Sequence, residues 1–282
     1  MADLVMTAGT ELSAIVPELW SSNYYDVLLA ELPFRSLIDD SYQGEIQNLG
    51  DTVRISQFPE FSDGEIIAEG QAADADSITV TQQSLVINKR VVKDFIVTSR
   101  ATMQSLSAMD KLKELSAYAI NKKIQKEILA LIVPNAAAPD HSIPYDAGTT
   151  LALADILEAK ELLDDQDVPM SDRHMVLGSA GTNDIFNISG FTSSDFLLAG
   201  AGGPLQTGQV PASLVGFAPA FTTEVGTTSY FFHRSFFTIA AQKGLSVTEY
   251  DLGVQGKRAS RVNLDTLLGM KQLDGLRVVT IS

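Results

Sequence analysis

Hydrophobic residues follow two different periods in the first third of this chain. From Leu12 to Leu28 they recur every three or four residues, which predicts a helix. Pro33 ends this pattern, and the segment from Phe34 to Asp40 is expected to be an extended arm. The apolar anchors of this arm are Phe34, Leu37 and Ile38.

A period of two begins at Thr52. Val53 and Ile55 alternate with polar residues, as in a half-buried strand, and Ser77–Val97 resumes the alternation. The stretch between them, Pro59–Asp76, is rich in Gly, Asp and Glu, so we predict a long hairpin with a negatively charged tip. No Lys or Arg occurs from Ile55 to Asn88. The acidic residues of the tip are Glu60, Asp63, Glu65, Glu69, Asp74 and Asp76.

A single long helix is predicted next, from Met109 to Val133, and Pro134 stops it. At 1.5 Å per residue this helix would be roughly 35 Å long. Most of its lysines lie off one apolar stripe, which consists of Leu112, Leu115, Ala119, Ile120, Ile124, Ile128 and Leu131. The segment Asn135–Gly148 follows as a connector and as the best candidate for a domain boundary.

The second half of the chain combines helices with short strands. Thr150 is a candidate N-cap for a helix that carries Leu153, Ile156, Leu157 and Leu163. Arg173–Leu177 has the pattern of a buried strand, and the interval from Arg173 to Arg234 is poor in charge and rich in small residues, which suits packing against copies of the chain. Further strands are predicted at Phe221–Val225, Tyr230–His233, Phe236–Ala240 and Leu245–Tyr250, and a closing β-hairpin at Arg258–Leu268 and Leu276–Ile281.

The composition excludes several classes of function. The chain has 282 residues and Cys 0, which excludes a disulfide framework, a thiolate zinc site and a cysteine nucleophile. Its net charge of -15 repels phosphate backbones and anionic membranes, so a tight sequence-reading DNA binder is disfavoured. We see no basic-led signal segment and no apolar run of about 20 residues, and we expect neither targeting nor membrane association.

No group of residues has the spacing of a catalytic or metal site. His141, His174 and His233 lie far apart, and the cluster Asp164, Asp165 and Asp167 lacks the alternation of a calcium loop. Leu177–Gly181 lacks the first glycine of a nucleophile elbow, and Gly200–Pro204 has no following Lys-Ser/Thr pair for phosphates. We therefore predict no catalytic residue, cofactor or metal.

The acidic tip of the hairpin suits docking better than catalysis, because a glycine-containing ribbon holds reacting atoms poorly. A basic surface of a neighbour is the expected partner. The candidate basic residues are Arg90, Lys93, Lys111, Lys122, Lys126, Lys257, Arg258 and Arg261.

The succession of short motifs along nearly the whole chain resembles the major capsid proteins of tailed bacteriophages. In the first half these motifs are Leu19-Trp20, Leu28–Phe34, Tyr42–Ile46, Gly50–Val53, Thr81–Gln83 and Val91–Val97. In the second half they are Leu151–Asp164, Val168-Pro169, Met175–Leu177, Val215–Phe217 and the segment from Gly256. The resemblance implies the α+β Hong Kong 97 capsid fold.

The same resemblance divides the chain into parts. Residues 1–49 would form an N-arm with the first helix, and residues 50–97 an extended loop across an adjacent subunit. Residues 98–148 would form a peripheral domain with the long helix as its spine, residues 149–240 an axial domain, and residues 241–282 the return to the peripheral domain. Some relatives cross-link through a lysine of the extended loop, but Ile55–Asn88 contains none, so we expect no such bond there.

The implied function is that of a shell protein, not an enzyme. It would assemble into pentamers and hexamers that form an icosahedral head around the viral DNA, without reading its sequence and without a membrane. It would act in the virion after assembly in the host cytoplasm, with a separate scaffolding protein, a portal and a decoration protein as further partners. Two alternatives stay open: an encapsulin-type nanocompartment, and a hydrolase that uses acidic residues of the axial region.

Overall fold

The computed structural model contains four helices, ten strands and two 3-10 turns among the residues that it describes. The residues described are 29–43, 52–59, 61, 63–67, 69–70, 77–98, 106–145, 150–188, 210, 213–252 and 259–282. The helices are α1 (Phe34–Leu37), α2 (Leu106–Leu131), α3 (Leu153–Asp164) and α4 (Ser179–Asn187). The strands are β1 (Thr52–Gln57), β2 (Thr81–Val86), β3 (Lys89–Thr98), β4 (Ser142–Ile143), β5 (Arg173–Leu177), β6 (Ala218–Phe221), β7 (Ser229–His233), β8 (Phe237–Asp251), β9 (Ala259–Gln272) and β10 (Val278–Ile281).

A three-stranded antiparallel sheet, ordered β3-β9-β8, packs against the long helix α2. One face of β9 is apolar, and its buried residues Val262, Leu264 and Leu268 share a core with Ile120, Ile124 and Ile128 of α2. These three isoleucines recur at i and i+4, so they form one stripe along the helix. The predicted stripe is confirmed at its centre, whereas Leu112 at its beginning is exposed.

A five-stranded sheet, ordered β4-β10-β7-β5-β6, forms a second layer with α3 and α4. All four residues of β10 are buried, because β4 and β7 flank it and apolar groups cover both of its faces. Phe232 of β7 belongs to the core that α2 shares, whereas Phe231 belongs to the core around α3. The sheet therefore separates two cores, as the alternation of side chains along a strand requires.

Several elements follow the sequence prediction closely. The predicted strands at Thr52, Arg173–Leu177 and Tyr230–His233 are confirmed as β1, β5 and β7. The long helix is also confirmed, but it begins at Leu106 and ends at Leu131. The backbone of Val133 is instead bound by the side-chain amide of Gln272, which accepts the Val133 N–H at 2.7 Å. The predicted helix from Leu12 to Leu28 lies outside the described residues.

The predicted pairing of the last two strands is wrong. β9 pairs with β3 along one edge and with β8 along the other, so it has no free edge for β10. β10 pairs with β4 and β7 in the other sheet. The alternation of residues predicts the strands themselves, but the choice of partner depends on the packing of the complete chain.

Ser77–Val97 is likewise two strands and not one. β2 pairs with β1, whereas β3 begins after Asn88 and pairs with β9. The hairpin is therefore confirmed for β1 and β2, and the chain leaves it at Ile87. The apolar side chains at this crossing, Val53, Leu85, Ile87 and Ala240, form a small core of their own.

Three local predictions also need correction. Phe34–Asp40 is not extended throughout, because Pro33 has helical dihedral angles and starts the single turn α1; Phe34 and Ile38 are nevertheless buried. Thr223–Val225 is a 3-10 turn, since the Thr222 hydroxyl accepts the Glu224 N–H at 3.4 Å. Helix α3 begins at Leu153, where the Asp155 carboxylate accepts the Ala152 N–H at 2.7 Å, and Leu157 is exposed.

Gly269 permits the close crossing of the hairpin over β9. A Cβ atom at this position would lie 2.6 Å from the carbonyl oxygen of Val86. We expect Gly269→Ala to lower the free energy of unfolding of the subunit by about 1–3 kcal/mol, because the backbone of Val86 must move. Chemical denaturation of the unassembled subunit measures this change.

Gly244→Ala is the matched control, since no atom lies within 4 Å of the Cβ position at Gly244. It should change the free energy of unfolding by less than about 0.5 kcal/mol. Equal stability of Gly269→Ala and the native subunit would show that the crossing is not tight.

Candidate intersubunit surface

The hairpin of β1 and β2 has a fixed root and an exposed tip. Six residue pairs, from Thr52↔Val86 to Gln57↔Thr81, hold the two strands in register. Val53 and Leu85 are buried at the root, where they pack near Ala240 and Leu267. The root is thus attached to the three-stranded sheet, and the segment beyond Gln57 extends from it.

The tip combines acidic and large apolar side chains. Asp63, Glu65 and Glu69 are exposed, whereas Glu60, Asp74 and Asp76 lie outside the described residues. Phe58 and Phe61 are 73% and 65% exposed, and Ile66 is fully exposed. Large apolar side chains concentrated on one exposed segment mark an interaction surface.

Most of the candidate basic residues already have acidic partners within the chain. Arg90 Nη2 lies 2.8 Å from Asp265 Oδ2, and Arg261 forms an ion pair with Asp94. Lys111 pairs with Glu114 at 3.1 Å. Lys93 has no acidic partner among the described residues, and Lys257 and Arg258 lie outside them.

Glu224 binds two further candidates. Its carboxylate lies 2.7 Å from Lys122 Nζ and 3.5 Å from Lys126 Nζ, both on α2. The hydrogen bond from Lys122 is the main reason that the pKa of Glu224 is lowered. Since Glu224 lies in the turn after β6, this pair of lysines joins α2 to the five-stranded sheet.

Asp265 is the centre of a second intrachain charge cluster. It is buried in β9, and it accepts hydrogen bonds from Lys243 at 2.7 Å and from Ser246 on β8, and from Arg90 on β3. The bonds from Lys243 and Ser246 lower its pKa most, so Asp265 is ionised at neutral pH. A register shift in β8 between Lys243 and Ser246 brings both groups to the same carboxylate.

Lys89 and Lys123 form a similar pair around Glu127. Their hydrogen bonds, first from Lys123 and then from Lys89, lower the pKa of Glu127 to about 2. Lys89 begins β3 and Glu127 lies on α2, so this pair fixes the sheet to the helix. The cations of this region therefore form ion pairs within the subunit.

Two cations that the sequence prediction did not select lie at the hairpin root. Arg54 is directly opposite Ser84 in the ladder, and Lys271 Nζ donates to the Ser84 carbonyl oxygen at 3.0 Å. The described structure pairs neither of them with an acidic group. The sequence held a signal for Arg54, because it is the last basic residue before the stretch from Ile55 to Asn88 without Lys or Arg.

The other polar residues considered in the sequence have structural surroundings. His141 Nδ1 lies 3.0 Å from the Pro139 carbonyl oxygen, the His174 ring packs against Phe232, and His233 Nδ1 accepts the Ser235 N–H at 3.2 Å. Asp164 pairs with Lys160 and Arg173. Within the described ranges no three acidic or histidine side chains converge as metal ligands, and no helix is both long and apolar enough to cross a bilayer.

The fold is that of solved capsid structures of tailed phages. Mycobacterium phage Che8 matches with a TM-score of 0.73 and 21% identity, over 95% of this chain and 97% of that chain. The capsid structure of the cyanophage P-SCSP1u matches with a TM-score of 0.76 and 12% identity, over 99% of this chain and 96% of that one. The capsid asymmetric unit of the cyanophage Pam1 matches with a TM-score of 0.74 and 12% identity, over 100% and 98%. The chain therefore has the Hong Kong 97 capsid fold.

The sequence itself gives the family. Residues 98–282 match the phage capsid protein family, and the chain belongs to it. No curated protein sequence is significantly similar to the chain. The chain is a major capsid protein of the virion: it forms the shell of a phage head from copies of itself. It is a structural protein, so the alternative of an acidic-residue hydrolase is wrong.

Proposed function

We propose that the chain forms its shell as pentamers and hexamers, closed into an icosahedral head around DNA that it does not read. The observation that carries this proposal is the hairpin tip, whose apolar side chains have no cover within the described subunit. Exposed large apolar side chains of this kind mark a surface that binds another protein. The family and the fold make a second copy the natural neighbour.

The parts of the chain then take the following roles. Residues 1–49 are the N-arm, and residues 50–97 are the extended loop, although the pairing of β3 with β9 favours an end of this loop near Val86. Residues 98–148 and 241–282 form the peripheral domain around α2. Residues 149–240 form the axial domain, which meets its copies at the centre of a capsomer. β5, β6 and β7 of this unit lie in one sheet, and β4 and β10 of the other segments complete that sheet, so the chain crosses into this unit at both of its ends.

Further partners follow from the same proposal. A separate scaffolding protein would set the curvature of the shell, a portal would occupy one vertex, and a decoration protein would bind the outer surface. The family match favours a phage head over the encapsulin alternative. Assembly in the host cytoplasm agrees with the absence of cysteine.

Native mass measurement tests the oligomeric state directly. We expect assemblies of five and six times the chain mass of 30.3 kDa, and larger shells, when the chain is purified with its candidate scaffolding protein. Dimers or tetramers alone, at concentrations where the shell should form, would contradict pentamers and hexamers.

A further inference from the structure

The subunit neutralises most of its positive charge internally. Among the described residues, only four cations lack an acidic partner within salt-bridge distance: Arg35, Arg54, Lys93 and Lys271. Arg35 Nη1 donates to Asn121 Oδ1 at 3.1 Å, and Lys93 lies opposite Leu264 in the sheet. These two stand at separate places. The other two, Arg54 and Lys271, are both neighbours of Ser84 at the hairpin root.

Arg54 and Lys271 meet at Ser84. Arg54 is the direct cross-strand partner of Ser84, and Lys271 from β9 binds the carbonyl oxygen of the same residue. Like charges held next to each other destabilise a sheet unless a counter-charge is near. The subunit itself supplies no such counter-charge at this place in the described structure.

The opposite imbalance lies at the other end of the same hairpin. Asp63, Glu65 and Glu69 are exposed within one short segment, and no described cation is within 4 Å of them. β1 stays paired to β2 from Arg54 to Gln57, so this part of the ladder separates the root from the tip. A positive root and a negative tip on one element are complementary between copies and not within one copy.

We propose that the acidic tip of one copy, Asp63, Glu65 and Glu69, docks on the Arg54 and Lys271 pair of a neighbouring copy. This inference rests on the proposed function, because it assumes a shell built from copies of the chain. The contact is heterologous: each copy gives a tip and receives one, and such contacts close into rings. Phe58 and Phe61 lie just before Asp63 in the sequence, and the same contact would cover them.

The energy of each contact is small, but its effect on assembly is large. An exposed ion pair contributes roughly 0.2–1 kcal/mol, and every subunit of a ring makes the contact twice, once with its tip and once with its root. Charge reversal replaces attraction by repulsion at every such contact. The yield of shells should therefore respond much more strongly than the stability of the subunit.

The test uses two reversed variants and their combination. The root variant is Arg54→Glu with Lys271→Glu, and the tip variant is Asp63→Lys with Glu65→Lys and Glu69→Lys. Each alone should reduce the yield of sedimenting shells by at least about tenfold relative to the native chain. Both sets of changes in one chain should restore the yield to within about threefold, because the tip of every copy and the root of its neighbour again have opposite charges.

A matched control reverses the two other unbalanced cations. Arg35→Glu with Lys93→Glu makes the same change in net charge as the root variant, and it should leave the yield within about twofold. Arg54→Glu alone guards against misfolding, because the Arg54 side chain is exposed and forms no ion pair within the described structure. It should keep the thermal unfolding midpoint of the subunit and still lower the yield.

The possible results separate the two proposals. Shells at native yield from the root variant would overturn the docking contact while the shell function stands. Loss of shells in both single variants, without rescue in the chain that carries both sets of changes, would also overturn it. Failure of the native chain to form any shell would instead contradict the proposed function.

Discussion

Replacement of Phe34 by alanine is expected to lower the free energy of unfolding of the subunit by about 3–5 kcal/mol. Phe34 is fully buried, stacks on Phe232 at a centroid distance of 5.8 Å and meets the edge of Tyr230 at the same distance. Its removal leaves a cavity between the arm and the five-stranded sheet. Aromatic pairs of this kind also lose interaction energy beyond the buried area.

The loss should have a local signature. Asp39 donates its N–H to the Phe237 carbonyl oxygen at 3.2 Å and accepts the Ile239 N–H at 3.1 Å, so the arm is joined to β8 directly after its anchor. We expect faster amide hydrogen exchange at Asp39 and Ile239 in Phe34→Ala. Phe58→Ala, at an exposed phenylalanine, is the control and should change unassembled-subunit stability by less than about 0.5 kcal/mol. A similar change in both variants would show that Phe34 does not anchor the arm.

Arg173→Ala is the second variant with a large expected effect, a loss of about 3 kcal/mol in the free energy of unfolding. The Arg173 side chain is almost completely buried at the start of β5. It donates to Asp164 Oδ1 at 2.6 Å, to the Pro169 carbonyl oxygen at 2.9 Å and to the Val168 carbonyl oxygen. The truncated side chain leaves both carbonyl groups without their donor and removes the brace between α3 and β5.

Lys160→Ala provides the comparison on the same carboxylate. Lys160 binds the other oxygen of Asp164, and it is the first cause of the lowered pKa of that group, but its side chain is one-third exposed. Its removal should cost less than about 1 kcal/mol, since water replaces an exposed ammonium group. Chemical denaturation of both variants measures the difference. Equal losses would show that burial of Arg173 contributes nothing.

Local structure in this fold follows from local patterns. The alternation at Val53 and Ile55 predicted β1, and the spacing of Ile120, Ile124 and Ile128 predicted the long helix, because side-chain direction repeats with the backbone period. Strand partners were not predictable in this way. β9 and β10 are adjacent in sequence and Val278 of β10 shares the core of β9, yet the two strands belong to different sheets, and only the complete packing decides that choice.

The same distinction applies to the intersubunit surface. The acidic tip was visible in the sequence, because exposure of charged residues in a glycine-rich segment is a local property. Most of the candidate basic residues pair with acids of the same subunit, and the sequence does not show these pairs where the acid is remote: Arg90 and Asp265 are 175 positions apart. Only the structure shows that Arg54 and Lys271 have no acidic partner among the described residues. The order of the motifs predicted a phage capsid protein, and the family match over residues 98–282 confirms this prediction.

Electron microscopy of the assembled protein shows directly whether copies of the chain form a closed shell. The chain would be expressed with its candidate scaffolding protein, and the largest particles would be isolated by size exclusion and imaged. We expect closed icosahedral shells in which the hairpin of one copy lies over a neighbour. A stable 30.3 kDa monomer in the presence of the scaffolding protein, with no capsomers and no shells, would contradict it.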